Sequence, residues 1–409
     1  MEQKPVVEKI PEGGITSPQG FQSAGVYCGI KKENSSKKDL AMIFSEEPAA
    51  AAGVFTRNLF QAAPVILSRK RINNAIQAII INSGNANACV GEAGYRDALE
   101  MGTITSQKMN IPEESILVAS TGPIGHKLPL EKIREGIATA SSELTSSQEG
   151  GNKAAQAILT TDTTIKKSAY RSWIGGRPFV VGGIAKGSGM ICPDMATMLA
   201  YITTDLGVDK LILQEAFWEA VSRSFNLISV DGDTSTNDMA VVLANGSSGL
   251  VIERENSGYE LFCHLLQEVC RDLAYQIVHD GEGVTKVISL TVKGAPGYAE
   301  AQQLARTVLN SLLVKTAFFG EDANWGRILA AMGYAGVPFD PHKVDLYIGP
   351  FKVASQGHNI EFNEKEVLSI LQNKEVFITI DLGIGTEEIV AWGNDLSYEY
   401  VTINSEYLT

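Results

Sequence analysis

Apolar residues recur along the chain in two rhythms. Between Tyr259 and Ile277, Leu261, Leu265, Val269, Leu273 and Ile277 return every four residues, on one slowly drifting face of a predicted helix. Shorter apolar runs at Ala78–Ile81, Ile116–Ala119, Pro178–Gly183 and Met239–Ala244 predict buried strands. Val287–Val292, Val344–Ile348, Val376–Ile380 and Ile389–Trp392 add short strands toward the C-terminus. Helices are predicted over Tyr95–Met109, Pro129–Leu144 and Val208–Phe225. The proline opening the second of these loses nothing by lacking an N–H there. No repeat of 20–50 residues is visible. The pattern predicts an α/β protein: one large body over residues 1–280 and a smaller C-terminal α/β lobe over 281–409.

Polar, glycine-rich segments follow the apolar runs: NSGNANACVGEAG (Asn82–Gly94), STGPIG (Ser120–Gly125), AKGSGMICPDMATML (Ala185–Leu199) and SVDGDTSTND (Ser229–Asp238). The 409 residues include 39 glycines against 14 prolines. Glycine permits left-handed turns and close backbone approach, so these segments are where a ligand site is expected. Charge narrows the choice of ligand. The 34 basic and 47 acidic residues leave a net charge of −13 without a basic stripe, which argues against nucleic acid. No run of 18 apolar residues offers a membrane span. The opening MEQKPVVEKIPEGG is too acidic and polar for a targeting peptide. Five cysteines without a close pair suggest no disulfide framework, and a reduced cytoplasmic protein is expected.

Several chemistries find no support. His126, His264, His279, His342 and His358 have no second ligand at metal-binding spacing. Asp231, Asp233 and Asn237 faintly resemble a calcium loop, but Thr236 takes its glycine position and Val242 its final glutamate, so a hydrogen-bonded loop is expected. No metal or cofactor is expected. There is no GxxxxGK[ST], no GxGxxG after a strand, and Gly187-Ser188-Gly189 is too tight for a hydrolase elbow. What remains is hydroxyl-rich: Ser120-Thr121-Gly122, Thr160-Thr161-Asp162-Thr163, and Lys186 through Thr197. Threonine becomes a nucleophile when its own freed α-amine serves as base. Ala196-Thr197, with a small residue before the threonine and glycines nearby, suits such a cut. On residues alone, a threonine in a helix start is the plainer reading.

The motifs decide between these. AKGSGMICPDMATMLAYITTD (Ala185–Asp205) resembles the self-processing motif of the ornithine acetyltransferase family, also called glutamate N-acetyltransferase. GFQSAGVYCGIK (Gly20–Lys31), NSGNANACVGEAG, STGPIG, ILTTDT (Ile158–Thr163) and SFNLISVDGDTSTND (Ser224–Asp238) resemble further family signatures in order. HDGEGVTK (His279–Lys286), GEDANWGRILAAMGYAG (Gly320–Gly336) and YVTINSEYLT (Tyr400–Thr409) extend the resemblance to the C-terminus.

The resemblance implies the layered mixed-sheet body of self-cleaving aminopeptidases and ornithine acetyltransferases. It implies a cut between Ala196 and Thr197 into chains 1–196 and 197–409, assembled as a heterotetramer of two of each. It makes Thr197 the nucleophile and Thr121 and Gly122 the oxyanion hole, with substrate contacts at Thr160, Lys186, Thr197, Glu282, Asn404 and Thr409. The residue types suit amino-acid substrates: Lys186 a carboxylate, Glu282 an amino group, Asn404 and Thr409 other polar atoms. Without the resemblance, Lys186 reads as a loop lysine, Glu282 as part of a helix-terminal turn, and Thr409 as a frayed end. The implied reaction moves the acetyl group of N-acetylornithine to glutamate through an acetyl-threonine. Some members also take acetyl-CoA as donor. Asp194 stands where the family more often has asparagine, His279 where arginine is common, and Val284 where alanine is. The rival readings are a self-cleaved amidase or aminopeptidase with water as acceptor, and a binding protein that kept the pocket without the chemistry.

Overall fold

The computed structural model of the protein describes residues 6–31, 36–192, 198–254 and 257–406. Among these residues nine strands form the principal sheet. They are β1 (Glu8–Lys9), β2 (Phe21–Val26), β3 (Leu40–Phe55), β4 (Ile76–Ser83), β5 (Ile116–Thr121), β6 (Lys166–Ile174), β7 (Arg177–Lys186), β8 (Leu199–Thr204) and β9 (Met239–Ala244). The order is β1-β6-β7-β8-β9-β3-β4-β5, and β2 also pairs with β3.

The long strand β3 is the seam. Its first half pairs with β2 and β4, and its second half, Ala50–Phe55, pairs with β9. The register against β4 shifts between Phe44 and Ala49. Pro48, which has no N–H for a ladder, falls in that interval.

Side-chain alternation defines the layers, because successive residues of a strand face opposite ways. From β4 and β5, Ala78, Ile80, Ile116 and Val118 pack with Met101, Ile104, Ile133 and Ile137 of the helices Glu92–Met109 and Leu130–Ser142. Their neighbours Ile79, Ile81, Leu117 and Ala119 share a second cluster with Leu199, Tyr201, Val241 and Leu243. Ala200, Ile202, Ala240 and Val242, on the far faces of β8 and β9, join a third cluster with the helices Lys210–Ser222 and Ser257–His279. The layers therefore run helix, sheet, sheet, helix. Strands covered on both faces have no solvent side to mark with polar residues, which is why they read as unbroken apolar runs.

A second, mixed sheet follows. Among the described residues it has seven strands, in the order Ile228–Ser229, Glu387–Asn394, Val287–Ala295, Glu375–Asp381, Asp345–Ile348, Phe351–Ser355, His358–Asn359. Leu290, Ile378 and Trp392 of this sheet belong to the same apolar cluster as Leu273 and Ile277 of the helix Ser257–His279. That helix thus packs against both sheets. The turn after it reaches the loop following β7, where the Glu282 amide donates to the Ser188 carbonyl at 3.1 Å, and the C-terminal helix Tyr398–Glu406 meets that turn through Asn404.

Candidate active site

Strand ends from both layers meet at one place. β5 ends at Thr121, in register with Ser83 of β4. From the other layer β7 ends at Lys186, opposite Leu199 at the start of β8. β9 begins alongside: Met239 pairs with Leu199, and its amide donates to the Met198 carbonyl at 3.0 Å. These ends enclose a polar cavity of about 110 Å³. Thr121, Gly122, Thr160, Lys186, Glu282 and Asn404 all line it, although they are scattered over more than 280 positions of sequence. Met198, Asn237 and Asp238 complete its inner wall. Ala196, Thr197 and Thr409 lie outside the described residues, as does Asp194. Met198, the residue after Thr197, faces the cavity.

The corner after β5 is built for a glycine. Gly122 has φ +137°, and a Cβ there would lie 2.5 Å from the Asn85 nitrogen. That close approach lets the Asn85 amide donate to the Thr121 carbonyl at 3.1 Å. The Asn237 side-chain amide clamps the same corner, donating to the carbonyls of Ala86 at 2.6 Å and Ser120 at 2.8 Å. A hydroxyl and a backbone N–H held rigidly at one corner can stabilise an oxygen that gains charge in a transition state.

Opposite this corner lie the charges. Lys166 is fully buried, and its ammonium meets Asp162 at 2.7 Å, Asp280 at 2.6 Å and the Thr164 carbonyl at 3.2 Å. Both carboxylates also receive backbone donors. Asp162 accepts from the amides of Thr160 at 3.0 Å and Gly187 at 2.7 Å. Asp280 accepts from the amides of Thr163 and Thr164 at 3.0 and 3.2 Å, and from the Thr163 hydroxyl. The triad thus fixes Thr160 and the loop after Lys186 together. Burial alone would raise the Asp162 carboxyl, but Lys166, Lys186 and the Thr160 amide outweigh it and hold its pKa at about 2.

Lys186 differs. Its ammonium makes no ion pair or hydrogen bond among the described residues. Burial pulls its pKa down, with Lys166 adding to the effect, while Asp162, Asp238 and Glu282 push the other way. At the mouth, the Asn404 amide donates to Glu282 at 2.8 Å. Gly189 passes so close to Glu282 that a Cβ would overlap the carboxylate, so a larger residue there would push the Glu282 side chain aside. A lysine without a partner among the described residues and a carboxylate lining the same cavity match the two ends of a zwitterion.

The polar loop Ser229–Asp238 contributes more than the sequence revealed. Asp231 accepts from the amides of Met190 at 2.6 Å and Ile191 at 2.9 Å, and from the Tyr400 hydroxyl at 3.2 Å. It ties the loop before residues 193–197 to the C-terminal helix, with Met190 held at φ +57°. Its oxygens serve backbone donors, the hydrogen-bonded use expected of this loop. Among the described residues no three His, Cys, Asp or Glu side chains gather as a metal would need. No described helix is long and apolar enough to cross a membrane. Asn237 and Asp238 sit within a recognised motif, yet only the fold shows that they face the cavity.

The architecture is that of a layered α/β protein in which two layers of the principal sheet open onto one glycine-walled polar site. The ArgJ family model matches residues 22–409, and the chain belongs to that family. It is 50% identical to the arginine biosynthesis bifunctional protein ArgJ of Symbiobacterium thermophilum, over 97% of this chain and 99% of that one. The protein of the same name from Caldanaerobacter subterraneus subsp. tengcongensis is 48% identical, over 98% of this chain and 100% of that one. Among solved structures, the ornithine acetyltransferase of Mycobacterium tuberculosis, solved with ornithine, is 39% identical with a TM-score of 0.44. The match covers 47% of this chain and 100% of that one.

Proposed function

We propose that this chain is an arginine-biosynthesis acetyltransferase that moves the acetyl group of N-acetylornithine to glutamate, giving ornithine and N-acetylglutamate. The observation that carries the reading is the convergence of Thr121, Gly122, Thr160, Lys186, Glu282 and Asn404 on one small cavity. Membership of the ArgJ family, with close relatives named bifunctional arginine-biosynthesis proteins, supports it.

In this reading the chain cuts itself between Ala196 and Thr197. The new α-amine of Thr197 takes the proton from the threonine hydroxyl, and the oxygen attacks the acetyl carbon. Thr121 and Gly122 hold the resulting oxyanion, each donor contributing roughly 3 kcal/mol. Ornithine leaves, and the glutamate amine takes the acetyl group from the threonine. Lys186 binds a substrate carboxylate and Glu282 an amino group, while Thr160, Asn404 and Thr409 orient other polar atoms. Acetyl-CoA is a second donor, in keeping with the word bifunctional in the relatives' names. The reaction uses no metal or prosthetic group. Two 1–196 chains and two 197–409 chains assemble in the cytoplasm as a heterotetramer.

Incubation with N-acetylornithine and glutamate should yield ornithine and N-acetylglutamate with ping-pong kinetics. Free acetate without N-acetylglutamate would instead mark a hydrolase. Intact mass should show two pieces that meet at Ala196 and Thr197, and an active uncut chain would overturn the nucleophile assignment.

A further inference from the structure

Asp238 has no part in the reaction as described so far, yet it is one of the cavity's innermost groups. It is 2% exposed, lines the cavity beside Lys186, and immediately precedes β9. Its Oδ2 is fully buried without a hydrogen-bond partner among the described residues. A buried polar atom left unpaired costs about 1–3 kcal/mol, and more on a charged group, so this oxygen favours the neutral carboxyl. The Met239 amide bonds to the Met198 carbonyl, so Asp238 flanks the residue that follows Thr197. Adjacent strands lie about 4.8 Å apart, which brings the Asp238 backbone within side-chain reach of that chain.

Two charged groups share the cavity with it, Lys186 from the end of β7 and Glu282 from the turn after the helix Ser257–His279. Lys186 acts on Asp238 electrostatically, but no ion pair forms between them. Burial pushes the Asp238 carboxyl well above the ordinary range; Ser235, Lys186 and Thr56 oppose this without cancelling it. A carboxyl kept neutral in a polar pocket can donate a proton, which an ionised one cannot.

We propose that Asp238 is a further catalytic residue, the acid whose carboxyl proton reaches the leaving nitrogen during acetyl transfer at this cavity. The proposal rests on the acetyl-transfer reading. As the bond from the Thr197 oxygen to the acetyl carbon forms, the hydroxyl proton passes to the α-amine. As the amide C–N bond breaks, the departing nitrogen takes the Asp238 proton, and the α-ammonium then returns a proton to the carboxylate. One proton has moved from hydroxyl to leaving amine, and both protein groups are restored. Transfer to glutamate runs the same steps backward.

Asp238→Asn preserves shape and neutrality but removes the transferable proton. In the cut variant kcat should fall by about 100-fold or more, within the range of general acid–base catalysis, while KM moves little. Asp238→Glu should recover part of the loss. Infrared spectra of the parent at neutral pH should show the carbonyl stretch of a protonated carboxylic acid that Asp238→Asn lacks. A variant with the parent's kcat, or with that band undiminished, overturns the proposal. If Asp238→Asn stays uncut, the infrared comparison decides. A parent enzyme that transfers no acetyl group overturns the reaction reading itself, whereas an active parent matched by its variant removes only the role given to Asp238.

Discussion

Lys166 and Lys186 stand at the same end of neighbouring strands, with Lys166 in register with Ala185. Both are surrounded by protein, and their situations are opposite. Lys166 has a partner for each of its three protons, two of them carboxylates that are themselves saturated by backbone amides. Lys186 has none among the described residues. A saturated buried charge holds a scaffold in place, because every alternative arrangement would strand one of its members. A charge left open beside a cavity is a receptor, stable enough to persist and completed by a ligand. The difference between them is one of partners and of access: Lys166 is fully buried, whereas Lys186 is half-buried and lines the cavity.

Substitutions at the two sites should separate these roles. Lys166→Met strands Asp162 and Asp280, and breaking such a buried set should cost about 3–5 kcal/mol in denaturant unfolding. A loss below that found for Lys186→Met would end the contrast. Lys186→Met should leave unfolding nearly unchanged, or strengthen it slightly, while kcat/KM falls on the order of 100-fold through a lost charge-assisted contact of about 1.5–3 kcal/mol. Steady-state kinetics paired with a melt reads both effects.

Acid tests the triad without mutation. The Asp162 pKa lies near 2 in the folded protein, against 3.8 as its ordinary value. Its stabilisation is therefore complete above the ordinary value and is lost as pH falls through the folded one. The contribution is about 2 kcal/mol, by linkage. Acid titration of unfolding should show this loss between those two values in the parent and not in Lys166→Met. The smallest effect is expected at the mouth. Asn404→Ala removes an exposed hydrogen bond to Glu282, so stability should move by less than about 0.5 kcal/mol while substrate KM rises a few-fold. Unchanged kinetics would show that the Glu282–Asn404 pair lies outside the substrate's path.

What the sequence disclosed follows from how local each signal is. The helix Ser257–His279 and the strands around Ile79, Val118 and Val241 were legible because burial writes a repeating pattern into consecutive residues. Asp209 sharpens the start of the next helix: its carboxylate caps the Leu211 amide at 2.9 Å, so Val208, expected inside the helix, falls before it. β3 was not legible. Its second half runs through four consecutive alanines, Ala49–Ala52, which carry no strand preference. β6 was missed too, since KKSAYRSWI mixes polar and apolar residues without a clean period. In the site, the STGPIG turn announced itself through glycine, and the structure brings its Thr121 and Gly122 to the cavity. The triad was invisible because Lys166 and Asp280 are 114 positions apart, and no local spacing links them. Asp238 stood in a recognised motif without a role, because burial and an empty hydrogen-bond position exist only in three dimensions.

The proposed cut lies between β7 and β8, which are hydrogen-bonded neighbours in the interior of the principal sheet. A chain divided there keeps β1–β7 on one piece and β8 and β9 on the other, with β8 and β9 ladders to β7 and β3 spanning the break. Unfolding of the intact chain is unimolecular, and its two halves find each other again at the effective concentration set by the peptide link. Once the link is gone, regaining the sheet becomes a second-order reaction between two incomplete fragments. The midpoint of refolding would then depend on dilution, and the mature enzyme would owe its lifetime to the slowness of coming apart rather than to its ability to reassemble.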